Sequence, residues 1–323
     1  MEFGNIQYVD KPVSRLVHGA IMLRVEEAEH WFTVLDDIYA AGCRAWDSAH
    51  IYAGGDSERV LGMWMDARGN RDDIVILTKG CHHTGDRRRV TPFDIDTDIH
   101  TSFARLRTNY IDVYVLHRDD PDVPVGPIVE KLNELHEAGR IGAFGGSNWK
   151  PYRIAEANEY ADKHGLKPFT VSSPNFSLAE QYDEPWPDCF TISGPQNTKD
   201  REWYVDQKMP LFTWSSLAQG FFSGRITRAN WEDVKDDFPE PVARCYARGE
   251  NWDRMDRVEE LAKEKDMSVP QLALAYTLQN PGLDVYALIG TFTVDEFSEN
   301  IRALEVKLTP EEIDWLDLRT DSR

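Results

Sequence analysis

The chain has 323 residues, a mass of 37.1 kDa and a formal net charge of −20, from 36 Lys and Arg against 56 Asp and Glu. That balance argues against nucleic acid or an anionic membrane surface as partner, since both require a basic face. The length is about twice that of a typical domain, and the 41% hydrophobic, 28% charged composition is that of an ordinary globular protein with a full core. No apolar run approaches the roughly 20 residues of a membrane span. Residues 1–10 carry no basic stretch leading into an apolar one, so no signal peptide is expected. Cys43, Cys81, Cys189 and Cys245 form no Cys-x-x-Cys pair. Reduced thiols and a cytoplasmic location are the expectation.

In chain order, residues 7–9 and 12–15 around Asp10-Lys11 read as a short hairpin. Apolar runs at 15–20, 44–47, 74–78, 111–116, 143–146, 169–172, 211–214 and 285–289 read as strands covered on both faces. Between them lie helical patterns at 26–40, 57–67, 92–106, 127–138, 152–163 and 258–265. In the fourth, Ile128, Leu132 and Leu135 share one face. Ser57 and Thr91 suit N-caps, and Gly139 and Gly165 suit helix stops. Eight strands at about 40-residue spacing predict an α/β fold, a (β/α)8 TIM barrel forming a single domain over residues 1–323. A doubly wound sheet fits less well, because no Gly-x-Gly-x-x-Gly follows the first strand. The long irregular stretches 178–197 and 220–251 follow late strands and would overhang the C-terminal mouth, where barrel sites lie.

At that mouth the strand ends carry Asp47, Lys79 and His117, with Tyr52 in the loop after Asp47. The chemistry of this set is specific. A phenol titrates too high to be a ready acid near neutrality. A close ammonium lowers it, a carboxylate holds the ammonium, and an imidazole orients a carbonyl. Together they describe a general acid that protonates a developing oxyanion.

These residues resemble the aldo-keto reductase family. The stretch from Trp46 through Asp47-Ser48-Ala49-His50-Ile51-Tyr52 to Gly54 is similar to its Asp-Thr-Ala-x-x-Tyr-Gly signature. Thr78-Lys79, the strand from Tyr110 to His117, and Gly145-Gly146-Ser147-Asn148 resemble its later motifs in order, as do Leu211 to Gly220 and Gly290-Thr291 to Glu299-Asn300. The resemblance implies Tyr52 as acid and base, Lys79 and Asp47 as its tuning pair, and His117 on the carbonyl oxygen. It implies a nicotinamide dinucleotide held by Ser147, Asn148, Ser173, Trp214, Ser215, Leu217, Gln219, Gly290, Thr291, Phe292, Glu296, Glu299 and Asn300. Trp214 would stack on the nicotinamide. Ser172 and Ser173 stand where the family has a carboxamide-binding glutamine. His82 and Trp149 are assigned to the substrate. Many members place two arginines near the adenosine 2′-phosphate, where this chain has Phe292 and Glu296. NAD(H) is therefore expected over NADP(H), with Arg225 and Arg228 as the cations that argue the other way.

Singly, each residue has a duller reading: a buried ion pair, a packed tyrosine, a hydrogen-bonded histidine. The ordered set outweighs these. His82 and His83 lack a third ligand, so no metal is expected. Cys81 reads as a packed thiol and the Arg87–Arg89 run as a solvated loop. Trp186, Trp203, Trp231 and Trp252 read as packing, with stacking on a sugar as their alternative role. The expected function is hydride transfer to or from a carbonyl or alcohol, with a sugar, polyol or small aldehyde or ketone preferred. A cofactor-binding regulatory or scaffold protein of the same fold, and a Schiff-base lyase using Lys79, are the alternatives. The sequence does not indicate an oligomeric state.

Overall fold

The N-terminus pairs β1 (Phe3–Gly4) with β2 (Val13–Ser14) in a two-stranded antiparallel sheet, Phe3 opposite Ser14 and Gly4 opposite Val13. The expected hairpin had its first strand at 7–9. That stretch is a turn instead: Tyr8 is left-handed at φ 68° and Val9 N–H donates to the Ile6 carbonyl at 3.0 Å. The structure, a computed structural model, describes every residue from Met1 to Arg323.

The barrel strands are β3 (Leu16–Gly19), β4 (Ala45–Asp47), β5 (Val75–Gly80), β6 (Ile111–Leu116), β7 (Ile141–Ser147), β8 (Val171–Ser173), β9 (Pro210–Thr213) and β10 (Asp284–Ile289). They form a closed barrel in the order β10-β3-β4-β5-β6-β7-β8-β9, with parallel pairing. Nearly every strand residue is buried, as expected where helices cover the outside and side chains fill the inside. The helices are α1 (Ala28–Ala40), α2 (Asp56–Arg68), α3 (Pro92–Leu106), α4 (Val125–Glu137), α5 (Pro151–His164), α6 (Thr198–Gln207), α7 (Trp231–Val234), α8 (Asn251–Glu264), α9 (Val269–Leu278), α10 (Val294–Ile301) and α11 (Pro310–Leu316). By contact density the chain divides into two units. The first is Met1–Ser173 with Gly290–Val294; the second is Pro174–Ile289 with Asp295–Arg323. No helix is long and apolar enough to cross a membrane.

Local chemistry sets the helix ends. Thr91 caps α3 in a reciprocal capping box with Asp94, and Gly165 closes α5 in the left-handed conformation at φ 65°. Ser57 is not a cap. The N-cap of α2 is Gly55, at φ 96°, and Ser57 is buried inside the helix with its hydroxyl 2.8 Å from that of Ser48. The Arg87–Arg89 run is not simply solvated. Arg87 holds Asp94 at 2.5 Å and Arg89 holds Asp98 at 2.7 Å, both at buried carboxylates of α3.

In the first unit, α2 and α3 meet where Gly62 lacks a side chain. A Cβ there would lie 2.3 Å from the Arg105 carbonyl oxygen and 2.7 Å from the Leu106 carbonyl carbon. Backbone cannot rotate out of the way as a flexible side chain can. Gly62→Ala is therefore expected to destabilise by about 1–3 kcal/mol through overpacking. A lowered urea midpoint at unchanged slope would show it.

Candidate active site

Three adjacent strands of the first unit carry the candidate reactive side chains. Asp47 is the last residue of β4, Lys79 the penultimate residue of β5, and His117 directly follows β6. Register places Asp47 beside Leu77 and Lys79 beside Val115, so the three strand ends lie side by side. After β4 the chain turns through Tyr52, Ala53 at φ 51°, Gly54 and Gly55. Ala53, Gly54 and Gly55 are consecutive left-handed residues, and Tyr52, just before them, reaches Lys79 with its phenol. Ala53 carries a cost of about 1–2 kcal/mol in that conformation, a strain of the kind that sites concentrate.

Lys79 is the centre. Its buried ammonium forms an ion pair with Asp47, donates to the Ser48 carbonyl at 2.9 Å and donates to Tyr52 Oη at 3.2 Å. An ammonium has three N–H donors and no acceptor. All three are engaged, so Tyr52 accepts from Lys79 and its own O–H is directed elsewhere. The rings of Tyr52 and His117 meet edge to face at 5.6 Å, and those of His82 and His117 at 4.9 Å.

Burial governs the protonation states. It lowers the Lys79 ammonium, but Asp47 and Tyr52 outweigh it and hold the group above its ordinary value. Burial also pushes up the Asp47 carboxyl, with Lys79 pulling it back. The Tyr52 phenol is raised by burial, which exceeds the lowering by Lys79; Asp47 cancels part of that lowering. Lys79 thus lowers the phenol as expected, but burial exceeds that lowering and leaves the group above its ordinary value. Burial, then the charges of Lys79 and Arg118, keep His117 well below the ordinary imidazole value, hence neutral.

A supporting layer escaped the sequence reading. Glu58 in α2 is fully buried, accepts from Thr78 Oγ1 at 2.8 Å and pairs with Arg105 at 3.2 Å. Arg105 also donates to the His50 carbonyl at 2.6 Å. One carboxylate thereby fixes the residue before Lys79 and the turn before Tyr52. The available signal was Glu58 itself, a charge in line with Leu61 and Met65 on an otherwise buried helix face. Arg118, buried beside His117, donates to the His117 carbonyl at 2.9 Å.

Several residues of this unit assigned to a cofactor from the sequence also come together. Ser147 Oγ donates to the Ser173 carbonyl at 2.9 Å, and Asn148, left-handed at φ 61°, donates from Nδ2 to the His117 carbonyl at 3.1 Å. Ser173 Oγ and Thr291 Oγ1 are buried without a hydrogen-bond partner. Such orphans are uncommon and suit a polar ligand. Gly290 leads into Thr291, and Phe292 is exposed, its ring 6.3 Å from Trp31. His82 is half-buried with Nδ1 at 2.8 Å from the His83 carbonyl. Trp149 is wholly buried, its indole N–H on the Arg118 carbonyl at 3.0 Å and its ring against Phe169 and Arg153. That enclosure leaves no face for a substrate. Cys81 is likewise a buried thiol pushed up by burial, as a packed rather than reactive cysteine is.

In the second unit, Trp214 follows β9 and begins the segment to Gly220. Ser215, Ala218 and Gln219 are all left-handed without being glycine, at φ 54°, 51° and 55°, with Leu217 among them. Such turns point backbone N–H groups into a concavity suited to anions. The Trp214 indole N–H and Gln219 Nε2 are buried without partners. Glu296 is exposed on α10, Glu299 accepts from Gln271 at 2.6 Å, and Asn300 is buried. Trp231 and Trp252 pack together at 5.9 Å and Trp203 against Tyr204 at 5.1 Å, whereas Trp186 stands exposed beside Trp214. No group of three His, Cys, Asp or Glu comes together as a metal would require.

A parallel barrel with a Tyr-Lys-Asp-His set at adjacent strand ends defines a carbonyl oxidoreductase of the barrel class. Residues 15–318 match the model of the aldo/keto reductase family, and the chain belongs to that family. It is an NAD(P)-dependent oxidoreductase of that type. It is 27% identical to versiconal hemiacetal acetate reductase of Aspergillus parasiticus over 98% of this chain and 96% of that protein. It is 27% identical to norsolorinic acid reductase B of Dothistroma septosporum over 88% of this chain and 71% of that one. A Schizosaccharomyces pombe protein provisionally assigned as an aryl-alcohol dehydrogenase is 28% identical over 91% of this chain and 86% of its own length.

The protonation states predict the pH profile. Tyr52 keeps its proton past the ordinary phenol value of 10.0, and His117 stays neutral to well below 6.5. Loss of the acid form comes only as pH rises through the raised phenol value. Carbonyl reduction at saturating reduced cofactor should show kcat/KM flat between pH 6.5 and 10.0. A limb within that window would assign the proton to another group.

Proposed function

We propose that this protein reduces a carbonyl borne on an aromatic or polyketide skeleton, with Tyr52 as the general acid. The observation that carries the chemistry is the triple engagement of Lys79 by Asp47, the Ser48 carbonyl and Tyr52 Oη. Because Lys79 uses Tyr52 only as an acceptor, the phenol proton is available to a carbonyl oxygen. As charge develops on that oxygen, the ammonium behind the phenol stabilises the phenolate left by proton transfer. Neutral His117 donates a hydrogen bond to the same oxygen and orients the carbonyl without competing as an acid. In oxidation the roles reverse, and the phenolate takes the alcohol proton.

Bound, the dinucleotide supplies or accepts the hydride. The orphaned hydroxyls of Ser173 and Thr291 fit its polar edges, as do Ser147 and Asn148. Trp214 offers a ring for the nicotinamide and the left-handed segment at Ser215, Leu217 and Gln219 suits a pyrophosphate. Support for NAD(H) over NADP(H) comes from exposed Glu296, which repels a 2′-phosphate and accepts from a 2′-hydroxyl. Of the two competing cations, Arg228 is engaged by Asp253 and Asp256, both at 2.7 Å, and Arg225 lies over the Phe238 ring. The aryl or polyketide preference replaces the sugar preference because the named relatives act on such skeletons.

A carbonyl panel of aryl aldehydes, aryl ketones and aldoses tests the reading. Tyr52→Phe should lower kcat by about 10²–10⁴, while quenching of protein fluorescence by cofactor persists. Wild type that binds cofactor yet reduces no carbonyl would favour the regulatory role, and aldoses as the best substrates would restore the sugar reading. NADH should bind at least as tightly as NADPH, and Glu296→Arg should tighten NADPH selectively. NADPH binding more than about tenfold tighter to wild type would reverse the cofactor assignment.

A further inference from the structure

We infer that His82 is a specificity-determining residue whose Nε2 accepts a hydrogen bond from a substrate hydroxyl, selecting aryl carbonyl compounds with a hydroxyl meta to the carbonyl. This role rests on Tyr52 and His117 as the contacts of the carbonyl oxygen and on the aryl class proposed above. Every residue it uses belongs to the first unit.

β5 ends at Gly80, and Cys81 follows in the left-handed region at φ 62°. A residue other than glycine holds that conformation where its surroundings impose it. Here Cys81 N–H donates to Asp98 Oδ2 at 2.8 Å, and Asp98, buried in α3, is held by Arg89 at 2.7 Å. Just beyond this anchored turn, the ring of His82 lies 4.9 Å from that of His117, inclined at 78°. His117 in turn meets the Tyr52 ring at 5.6 Å. His117 is thus the shared neighbour of the acid and of His82.

One contact fixes the tautomer of His82. Its Nδ1 lies 2.8 Å from the His83 carbonyl, which can only accept. Nδ1 therefore carries the proton, and the neutral imidazole has a bare lone pair on Nε2. Nε2 has no partner in the chain and is not among the polar atoms sealed from solvent. Burial lowers the imidazole below 6.5; the His83 carbonyl raises it in part, and the charges that face it, Arg118, His83 and Arg89, lower it again. Near neutrality His82 is an uncharged acceptor among cations.

Such an acceptor tells a hydroxyl from an ether, because only the hydroxyl donates. Ring spacing selects the position. An ortho hydroxyl donates to its own carbonyl, and a para hydroxyl stands at the far end of the ring. A meta hydroxyl is displaced from the carbonyl oxygen by a span close to the 4.9 Å between the His117 and His82 rings. A phenol also suits this place better than an alcohol, since nearby cations favour charge on its oxygen.

The test compares 3-hydroxybenzaldehyde with 3-methoxybenzaldehyde, whose substituents affect the carbonyl alike, in the wild type, His82→Leu and His82→Gln. The ratio of kcat/KM, hydroxyl over methoxyl, should exceed unity in the wild type. It should fall about fivefold in His82→Leu, the size of one neutral hydrogen bond, with the loss in KM. His82→Gln keeps an acceptor oxygen and should restore most of the ratio, a rescue that a merely packed ring would not show. In the wild type the ratio should hold above pH 6.5 and fall toward unity as pH drops through the lowered imidazole value. There Nε2 gains a proton and donates to either oxygen alike. In His82→Leu the ratio should not move with pH. Quenching of fluorescence by cofactor in each variant shows that the chain is folded. An unchanged ratio in His82→Leu, in a wild type that reduces both aldehydes, would overturn this inference alone. A wild type that binds cofactor and reduces no aryl aldehyde would overturn the aryl reading and this inference with it.

Discussion

The site depends on how a buried ammonium must be satisfied. Lys79 can only donate, has three N–H groups, and is held where water cannot replace a missing partner. Asp47 neutralises it, the Ser48 carbonyl takes a second donor, and Tyr52 is left as the third acceptor. The direction of the Tyr52 proton follows from that count. The charge of Lys79 also adds to burial, the larger cause, in keeping neighbouring His117 neutral. Asp47 limits how far the ammonium lowers the phenol, which is why burial prevails at Tyr52. The pair is therefore better described as a fixed local field that stabilises phenolate when it forms than as a device that ionises Tyr52 beforehand.

That field is useful only if its members hold their positions. Glu58, buried under α2, ties Thr78 of β5 to Arg105 of α3, and Arg105 reaches the His50 carbonyl. Gly62 permits the approach of α2 to α3 that makes the tie short. A helix–helix contact thus sets the turn that carries the phenol. On the far side, Arg153 holds Asp119 at 2.9 Å and the Val123 carbonyl at 2.9 Å, pinning the chain just beyond His117. Packing and site geometry are one constraint here, because each clamp spans an element that delivers a reactive group.

Most of this was legible where local chemistry decides. The strand at 111–116 and the helix at 92–106 match β6 and α3, since both faces of one and the capping box of the other leave clear marks. The grouping of Asp47, Lys79 and His117 was legible because they lie at the ends of consecutive strands, with Tyr52 in the loop after the first of them. What stayed hidden follows from missing contrast. In α6 only Arg201 and Tyr204 are buried, so it shows almost no apolar stripe. Most of α9 is buried all round, so it shows no polar one. Periodicity detects an interface between two faces and is blind to a helix with one kind of face. Glu58 left only a weak mark, a charge in line with Leu61 and Met65, because burial of a charge is decided by a partner from a different helix, Arg105. Trp149 illustrates the reverse error, because motif position does not say which way a ring turns.

The net charge of −20 places this chemistry in a wider setting. In an acidic chain, surface neutralisation is the default use of the cations. The arginines do something more specific. Arg105, Arg153 and Arg244 each join one or two carboxylates to one or more loop carbonyls. Arg71 does the same with Asp112 at 2.8 Å and the Tyr110 carbonyl at 2.7 Å. A planar guanidinium can serve both acceptors at once, which an ammonium does less well. Acidic excess and arginine clamps are then complementary: carboxylates are plentiful enough that each structural guanidinium finds one, and its remaining donors fix backbone beside a strand end. Lys79 is the exception in role. Beside Asp47 and the Ser48 carbonyl, its third donor goes to a side chain, the phenol of Tyr52, which is the proposed acid. Lys11 shows that the difference is one of placement rather than cation type, since it joins Asp112 at 2.6 Å to the Arg71 carbonyl at 3.5 Å and the Ile74 carbonyl at 2.5 Å just as the arginines do.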